Sequence, residues 1–423
     1  MGQILYRSFV FLYPVVARLL AFFQPKAKAW VKGRQNIWAT IENGMQDLQG
    51  PVIWMHCAST GEYEQGRPLL HALHLAHPQH AIVLSFFSPS GFSLYQHDPL
   101  ANRVFYLPMD HPLAAQKWLA LVHPQLAIFV KYEFWFYYLQ ALKKAQVPAL
   151  LVSGIFRPDQ LFFAWYGGFF RRILASFSHL FVQDQNSADL LQQAGIQQCT
   201  IAGDTRFERV LEIAQNWQHI PGLAEFCQDQ RVWVMGSTWS KDDQSELVKY
   251  MTNTYPSLRF VVAPHELSPE RIRECLAVYP DPILYSNYLA LSEKERQQNP
   301  NRSLVVDKMG LLSRLYKYGE MAFVGGGYDK EGVHNTLEAA AFGKPLCFGP
   351  IYEKYKEAVD LVALGAAKTD FHGNPLTTQI DALWNNAQLR HEMGKKALDY
   401  VQQGAGATEK IMAHVHENLL LTK

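Results

Sequence analysis

The chain has few cysteines and almost no net charge. Its 39 Lys and Arg residues and 38 Asp and Glu residues leave a formal net charge of +1, which argues against nucleic-acid binding through a basic surface. The five cysteines are scattered, without a CxxC pair or a Cys/His cluster of zinc spacing. Cys57 and Cys347 lie in apolar runs, which suits reduced thiols in a cytosolic compartment. A length of 423 residues favours two or three domains with a large buried core.

Several motifs of nucleotide and nucleophile chemistry are also missing. GxxxxGK[ST] does not occur, because Gly343-Lys344 is followed by Pro345, and this argues against a P-loop. GxGxxG is absent, and the lack of GxSxG disfavours an α/β-hydrolase. The chain also has no Asp-x-Asp pair, the metal-binding arrangement of many single-domain sugar transferases. If the protein transfers sugars, the two-domain, metal-independent architecture is therefore favoured.

The N-terminal segment is strongly apolar but short. Residues 8–23 read SFVFLYPVVARLLAFF, contain Pro14 and Arg18, and precede the basic residues Lys26, Lys28, Lys32 and Arg34. A spanning helix needs about 20 apolar residues, and no small-residue cleavage site follows as in a signal peptide. Aromatic and aliphatic residues beside a basic cluster predict a membrane-associated helix over 1–23 that lies on an anionic surface. A buried helix, or one that packs on a partner, is the alternative.

Short apolar runs alternate with helical patterns along the rest of the chain. The runs are 52–55, 81–86, 104–106, 126–130, 149–153, 180–182, 200–202, 232–235, 260–263, 283–285, 303–306, 321–324 and 345–348. Continuous apolar strands with helices between them indicate parallel sheets covered on both faces. The sequence therefore predicts an α/β protein with two doubly wound, Rossmann-like domains, 24–207 and 231–423, joined by a linker at 208–230. The last helix is a candidate to return to the first domain.

Ligands of such sheets bind outside the carboxyl ends of the strands, so two facing domains predict a central cleft. The most informative segment, 324–350, reads VGGGYDKEGVHNTLEAAAFGKPLCFGP. Glycine turns allow close approach to the backbone, and a helix N-terminus attracts phosphate. An ordinary β-α-β turn explains the three glycines, Gly325, Gly326 and Gly327. The HNTLE cluster with Asn335 and Glu338 favours a nucleotide-sugar site, in which Glu338 accepts hydrogen bonds from ribose hydroxyls.

A second motif, HCASTGE at 56–62, follows the predicted strand 52–55 and precedes a helix. Glu62 at the carboxyl end of a strand suits a general base acting on an alcohol. It equally suits a first-turn acid favoured by the helix dipole, and the spacing leaves both interpretations open.

Polar residues follow other predicted strands. Lys131 and Glu133 come after 126–130 beside aromatics, an arrangement that is either structural or acceptor-binding. Ser237 and Thr238 come after 232–235, where hydroxyls and amides suit a phosphate. Further candidates are Arg206, which is placed to reach an anionic ligand at the domain junction, and His265, which is otherwise a capping residue.

Together these motifs resemble one family in order and over nearly the whole chain, including the N-terminal anchor. ASTGE at 58–62 is similar to the A-S-x-G-E motif of the bacterial 3-deoxy-D-manno-octulosonic acid (Kdo) transferases of lipopolysaccharide assembly. KYEFW, AGDTRFE and MGSTW resemble that family's E-x-E-L-W, T-G-N-x-K-F-D and G-S-T-H segments. Segment 324–350 resembles V-G-G-S…G-G-H-N-x-L-E-P-A-A-F-G-K-P-V-x-F-G-P closely.

The resemblance implies a GT-B glycosyltransferase that moves Kdo from CMP-Kdo to a lipid A precursor (lipid IVA), with inversion and with no metal or other cofactor. It implies that Glu62 is the base and that the protein lies on the cytoplasmic face of the cell inner membrane. The implied donor-binding residues are Ser237, Thr238, Arg206, His265, Gly325, Gly326, Gly327, Asn335 and Glu338. The implied acceptor-binding residues are Ser59, Gly61, Lys131 and Glu133.

The chain departs from the family pattern at two places. Pro264 is followed by His265, without the arginine of the family's Pro-Arg-His, so the phosphate contact that the resemblance implies there lacks its arginine. Lys131 and Tyr132 stand where the family usually has another acid. Two rival functions are another GT-B enzyme, such as a UDP-sugar transferase or epimerase, and a non-catalytic membrane adaptor.

Overall fold

The computed structural model describes residues 2–228, 230–370 and 375–421. Their strands are β1 (Val52–Cys57), β2 (Ala81–Phe86), β3 (Arg103–Tyr106), β4 (Pro124–Val130), β5 (Ala149–Gly154), β6 (His179–Val182), β7 (Cys199–Ile201), β8 (Val232–Thr238), β9 (Arg259–Pro264), β10 (Pro282–Leu284), β11 (Ser303–Val305), β12 (Met321–Val324), β13 (Leu346–Phe348) and β14 (Ala367–Thr369).

The helices are α1 (Gly2–Leu20), α2 (Pro25–Gly33), α3 (Ile37–Met45), α4 (Thr60–Ala76), α5 (Pro89–Tyr95), α6 (Pro112–Val122), α7 (Phe136–Lys144), α8 (Gly168–Leu174), α9 (Gln185–Gln193), α10 (Arg206–Gln215), α11 (Leu223–Cys227), α12 (Ser240–Asp243), α13 (Glu246–Thr254), α14 (Pro269–Val278), α15 (Tyr285–Ala290), α16 (Glu293–Gln297), α17 (Leu312–Leu315), α18 (Leu337–Ala340), α19 (Lys356–Ala363), α20 (Leu376–Asn385), α21 (Ala387–Gly404) and α22 (Ala407–Glu417).

The chain forms two compact units, one of residues 1–209 with 405–423 and the other of residues 210–404. The first unit contains a parallel seven-stranded sheet of order β3-β2-β1-β4-β5-β6-β7. Its central strands are mostly apolar because both faces are covered. Trp54 of β1 packs into the core on one face, whereas its neighbours Ile53 and Met55 pack into the core on the other. The terminal helix α22 adds Ile411 to this second core.

The second unit contains another parallel seven-stranded sheet, of order β10-β11-β9-β8-β12-β13-β14. Together with the flanking helices and the apolar α1, the two sheets confirm the predicted α/β fold class. The predicted linker 208–230 contains most of α10 and all of α11. β14 was not predicted, because it has only three residues and the charged Lys368 lies in its middle.

α1 is docked on the first unit by its polar residues and leaves most of its apolar residues exposed. The Tyr6 hydroxyl donates to Asp110, which also accepts the N–H groups of Tyr137 and Tyr138 at 3.0 Å each at the start of α7. Within the described residues, α1 is the one helix long and apolar enough to cross a membrane. Its exposed apolar residues, with those of the turn that follows, are Ile4, Leu5, Phe9, Phe11, Leu12, Val15, Val16, Leu19, Leu20, Phe22 and Phe23.

Candidate active site

In each unit, the predicted motifs lie where the chain switches from one side of its sheet to the other. In the first sheet β2 and β3 lie on one side of β1, and β4 to β7 lie on the other. In the second sheet β9 to β11 lie on one side of β8, and β12 to β14 on the other. Doubly wound sheets bind ligands at such switch points. The 56–62 and 131–135 motifs follow β1 and β4, and the glycine motifs 236–238 and 325–327 lie at the ends of β8 and β12.

Glu62 caps the first turn of α4, which is one of the two interpretations that the sequence left open. It is the third residue of α4, and its Oε2 accepts hydrogen bonds from the backbone N–H groups of Ala58 and, at 3.2 Å, Ser59, as in a capping box. Its Oε1 has no hydrogen-bond partner within 2–228, 230–370 and 375–421, and it is not among their buried unpaired atoms. One carboxylate oxygen therefore anchors the side chain while the other stays available.

The surroundings of Glu62 suit a base that works near neutral pH. Burial, and secondly the nearby Glu133 carboxylate, raise the pKa of Glu62 to about 8, against the opposing effects of the two backbone N–H groups and Lys131. A carboxyl group with such a pKa holds a proton more strongly than an exposed one and still releases it near the working pH.

His56 is a buried residue of the site that the sequence analysis did not select. Its Nδ1 lies 2.9 Å from Ser85 Oγ, and its Nε2 lies 2.8 Å from Glu133 Oε2. Trp135 Nε1 also donates to Glu133 Oε2, at 2.5 Å. His56 and Glu133 are 77 residues apart, and they meet because β1 and β4 are neighbours in the sheet. With the strand order known, a histidine and a carboxylate at the ends of adjacent strands would have pointed to this pair.

The predicted acceptor residues surround Glu62 in different ways. Lys131 has a left-handed backbone (φ 67°), a conformation that is strained for lysine and often found at functional sites. Glu133 is only 6% exposed, and its carboxylate is hydrogen-bonded to His56 and Trp135. Its contacts therefore suit a residue that orients these two side chains. A Cβ built on Gly61 meets no atom within 4 Å, so the first turn of α4 borders open space. Ser59 precedes that turn and caps it.

Arg206 lies in the first unit and is held by Asp204. Its Nε and Nη2 lie 2.8 Å and 2.7 Å from Asp204 Oδ2, and Gln65 donates to Asp204 Oδ1 at 3.1 Å. Burial raises the pKa of Asp204, but Arg206 and the other hydrogen bonds outweigh it and hold that pKa below its usual value. The Arg206 side chain as a whole is about one-quarter exposed (27%).

In the second unit, Ser237 forms an irregularity at the end of β8. Its backbone is left-handed (φ 52°), and the pairing of β8 with β9 shifts between Gly236 and Thr238. Thr238 is fully buried, and its Oγ1 and carbonyl oxygen each accept from Arg271 at 3.2 Å. Ser237 is half-buried, so of the two predicted hydroxyls only that of Ser237 borders solvent.

The three glycines are required by the packing of the chain itself. A Cβ on Gly325 would lie 2.3 Å from the carbonyl oxygen of Ser237, and one on Gly327 would lie 2.6 Å from the backbone nitrogen of Gly349. Gly326 has a left-handed backbone (φ 93°) and donates its N–H to Asp242 at 2.8 Å. The glycines therefore bring the ends of β8, β12 and β13 together, a reason that the sequence alone did not reveal.

The HNTLE residues form a small hydrogen-bonded cluster. Asn335 accepts from the N–H of Leu337 and donates to Glu338, both at 3.2 Å. The helix that they begin, α18, has only four residues, so Glu338 is its second residue rather than one turn inside it. Gly343, which is left-handed (φ 63°), and Pro345 follow and prevent its extension.

Solved structures of other proteins share the fold. A putative UDP-N-acetylglucosamine 2-epimerase from Listeria monocytogenes is 14% identical with a TM-score of 0.59, over 88% of this chain and 97% of that one. UDP-GlcNAc 2-epimerase from Neisseria meningitidis bound to UDP-GlcNAc is 13% identical with a TM-score of 0.58, over 86% of this chain and all of that one. Likeness at this level of identity concerns the fold alone.

Comparison of the amino-acid sequence with those of known proteins finds relatives of one kind. Residues 32–209 match the family model of the 3-deoxy-D-manno-octulosonic-acid transferase (kdotransferase). The 3-deoxy-D-manno-octulosonic acid transferase of Haemophilus influenzae is 24% identical over 376 residues, 85% of each chain. That of Chlamydia trachomatis serovar D is 27% identical over 379 residues, 86% of each chain. The comparisons thereby confirm the resemblance to the Kdo transferases, a family of glycosyltransferases, that the motifs predicted.

Proposed function

We propose that the protein transfers Kdo from CMP-Kdo to a lipid A precursor, lipid IVA, with inversion of the anomeric centre and without a metal ion. The observation that carries the proposal is the position of the motifs. The motif that contains Glu62 lies at the end of β1, at the switch point of the first sheet. The glycine motifs 236–238 and 325–327 lie at the ends of β8 and β12, at the switch point of the second sheet. Both are the positions at which doubly wound sheets bind ligands.

On the acceptor side, Glu62 acts as the general base. Its free Oε1 takes the proton of a sugar hydroxyl of the lipid, and the hydroxyl oxygen attacks the anomeric carbon of Kdo. The bond from that carbon to the CMP phosphate breaks, and the phosphate leaves with the electron pair. The open first turn of α4, at Ser59 and Gly61, gives the hydroxyl access to Glu62. His56 and Glu133 hold Trp135 and the adjoining loop in place.

On the donor side, Asn335 and Glu338 hold the nucleoside, and Glu338 accepts hydrogen bonds from the ribose hydroxyls. Ser237 and the backbone N–H groups at the end of β8 bind the phosphate, together with His265. Arg206 contributes its positive charge to the binding of the anionic donor. Fixed donors of this kind stabilise the leaving phosphate as its negative charge develops.

We further propose that α1 holds the protein on the cytoplasmic face of the inner membrane. Its exposed apolar side chains suit insertion among acyl chains, and Lys26, Lys28 and Lys32 of α2 suit the anionic headgroups. The acceptor is itself a membrane lipid, so attachment brings the site to its substrate.

A product-mass experiment tests the proposed reaction. The purified protein is incubated with tetra-acylated lipid A precursor and either CMP-Kdo or a UDP-sugar, and the lipid is examined by mass spectrometry. The expected product is heavier by one or more Kdo residues with CMP-Kdo only. Turnover of the UDP-sugar would favour the rival transferase or epimerase, and no turnover of either donor would favour the adaptor.

The substitution Gly61→Ala tests the acceptor path. Since the added methyl group meets no protein atom, the fold is expected to keep its melting temperature. The KM for the lipid precursor is expected to rise about 5-fold or more, because the methyl group occupies space beside Glu62 that the bound acceptor needs. Gly168→Ala in α8, where a Cβ meets only one side-chain atom at 3.9 Å, is the matched control. An acceptor KM equal to that of the control would contradict this path.

Phe22→Asp combined with Phe23→Asp tests membrane attachment. These side chains are 82% and 85% exposed, so the fold is expected to persist. Burial of one such side chain contributes about 1.5–3 kcal/mol, and binding to vesicles that contain anionic phospholipid is therefore expected to fall at least about 10-fold in flotation assays. The control replaces Leu75 and Leu419, which are 66% and 61% exposed, by Asp. If the variant with both Phe residues replaced floated with the vesicles as the unmodified protein does, the proposal that this segment inserts apolar side chains into the membrane would be wrong.

A further inference from the structure

Three aromatic side chains stack at the switch point of the second sheet. Trp239 follows β8, His265 follows β9, and His334 belongs to the HNTLE motif after β12. The rings of His265 and His334 are 4.2 Å apart and inclined by 9°, and those of Trp239 and His265 are 4.7 Å apart and inclined by 28°. The chain has Trp239 at the position of the histidine in the family's G-S-T-H motif.

The hydrogen bond between two of these rings determines a tautomer. Trp239 Nε1 lies 2.7 Å from His334 Nε2. An indole N–H is only a donor, so His334 Nε2 must offer its lone pair and the imidazole proton must lie on Nδ1. Nδ1 itself has no hydrogen-bond partner within 2–228, 230–370 and 375–421, and it is not one of their buried unpaired atoms. His334 thus presents an N–H group towards the surroundings of the switch point.

We propose that Trp239 is a positioning residue that fixes His334 as a neutral Nδ1–H donor for an anionic oxygen of the bound sugar nucleotide. This role rests on the proposed function and deepens it. A histidine at position 239 is a donor or an acceptor according to its own tautomer, and so leaves the tautomer of His334 free. Tryptophan removes that freedom, and the site keeps one donor in place although the arginine after Pro264 is missing.

The indole is itself held firmly. Asp242 Oδ2 accepts from the backbone N–H of Trp239 and from that of Gly326, each at 2.8 Å. The same carboxylate therefore ties the Trp239 backbone to the glycine turn that precedes His334. Gly325 completes the link, because its carbonyl oxygen accepts the N–H of His334 at 3.0 Å.

The charges around His334 do not favour its protonation. Burial, and secondly the neighbouring His265, lower the pKa of His334 to about 4. Two acids nearby are committed elsewhere, since Asp242 accepts backbone N–H groups and Asp329 pairs with Lys241 at 2.8 Å. Glu266 raises the pKa of His265, although burial leaves that pKa below its usual value. The Nδ1–H donor is therefore present throughout the pH range from about 5.5 to 8.5.

Nitrogen-15 NMR of the histidine side chains tests the tautomer without any substrate. The resonances of His334 are assigned by their loss in His334→Gln. In the unmodified protein, Nδ1 is expected to show the shift of a protonated nitrogen and Nε2 that of an unprotonated one, without titration between pH 5.5 and 8.5. In Trp239→Phe, which keeps a ring and loses the N–H, a mixture of tautomers is expected. An Nε2–H tautomer in the unmodified protein would overturn the proposal.

Calorimetry with CMP and steady-state kinetics with CMP-Kdo test the consequence for binding. Trp239→Phe is expected to weaken CMP binding and to raise the KM for CMP-Kdo by roughly 3- to 10-fold, the effect of one hydrogen bond, while kcat changes less than twofold. Trp217→Phe, which removes an indole N–H bonded to the Arg314 carbonyl at 3.1 Å, is the matched control. Equal CMP affinity in the two variants would overturn the anion-binding role. A failure of Kdo transfer would instead count against the proposed function and leave the NMR result standing.

Discussion

Replacement of Glu62 by glutamine is expected to lower kcat for Kdo transfer by about 10²- to 10⁴-fold, the usual contribution of a general base. The amide keeps an oxygen that can accept from the N–H groups of Ala58 and Ser59, so the cap of α4 is preserved. It cannot take a proton from the acceptor hydroxyl. CMP affinity is expected to stay the same, because Glu62 is not among the proposed CMP contacts, which apart from Arg206 lie in the other unit. Steady-state kinetics and calorimetry measure the two effects.

Glu42→Gln is the matched control for this substitution. Glu42 lies on α3 in the same unit, is half exposed, and pairs with Lys117 at 2.7 Å. Exposed pairs of this kind contribute about 0–1 kcal/mol, so full activity is expected. If Glu62→Gln also transferred Kdo at the unmodified rate, the assignment of Glu62 as the base would be wrong.

The raised pKa of Glu62 sets the pH dependence of the reaction. Below a pKa of about 8 the carboxyl is protonated and cannot act as a base, so kcat is expected to rise with pH through this value and then level off. The same shift affects folding. A carboxyl whose pKa is raised in the folded protein favours the folded state below its unfolded pKa, and this contribution is lost as the pH rises through the folded pKa. Glu62→Gln is therefore expected to melt at a higher temperature than the unmodified protein at pH 9.

The fold was predictable where burial alone shapes the sequence. The strands β1, β4, β8 and β12 are covered on both faces, so their apolar runs are continuous and easily found. The order of the strands in the sheet cannot be predicted from such apolar runs, because it depends on the side of the sheet to which each connection crosses. For this reason the motifs of the site could be found one by one, whereas the contact between His56 and Glu133 could not.

The glycine segment shows the same limit in the second unit. Its sequence correctly indicated a tight turn after a strand and before a helix. The interpretation that the glycines make room for a ligand did not include the packing of Gly325 on Ser237 and of Gly327 on Gly349. These contacts join residues that are far apart in sequence, and only the folded chain reveals them. Trp239 likewise was not selected from the sequence, where MGSTW was noted only for its similarity to the family's G-S-T-H; its bond to His334 is seen only in the folded chain.

The missing arginine after Pro264 raises the question of what balances the phosphate charge. Arg271 is near, since its guanidinium donates to Thr238 at the end of β8. However, it is only 5% exposed and forms a buried ion pair with Asp243, which also accepts the hydroxyl of Tyr279 at 2.7 Å. Since Asp243 already neutralises its charge, Arg271 stabilises the fold of the second unit. The phosphate of the proposed donor is therefore expected to bind to other groups.

Arg271→Met is therefore expected to lower the free energy of unfolding of the second unit by about 3–5 kcal/mol, because it leaves the Asp243 carboxylate buried without its partner. Denaturant titration followed by tryptophan fluorescence measures the change. Arg273→Met is the matched control on the same helix, α14. Arg273 is 67% exposed and pairs with the exposed Glu270 at 3.0 Å, so a much smaller change in stability than for Arg271→Met is expected. Near-normal stability of Arg271→Met combined with a large loss of CMP affinity would contradict this role. It would show that Arg271 leaves Asp243 to bind the phosphate, in place of the arginine that the chain lacks after Pro264.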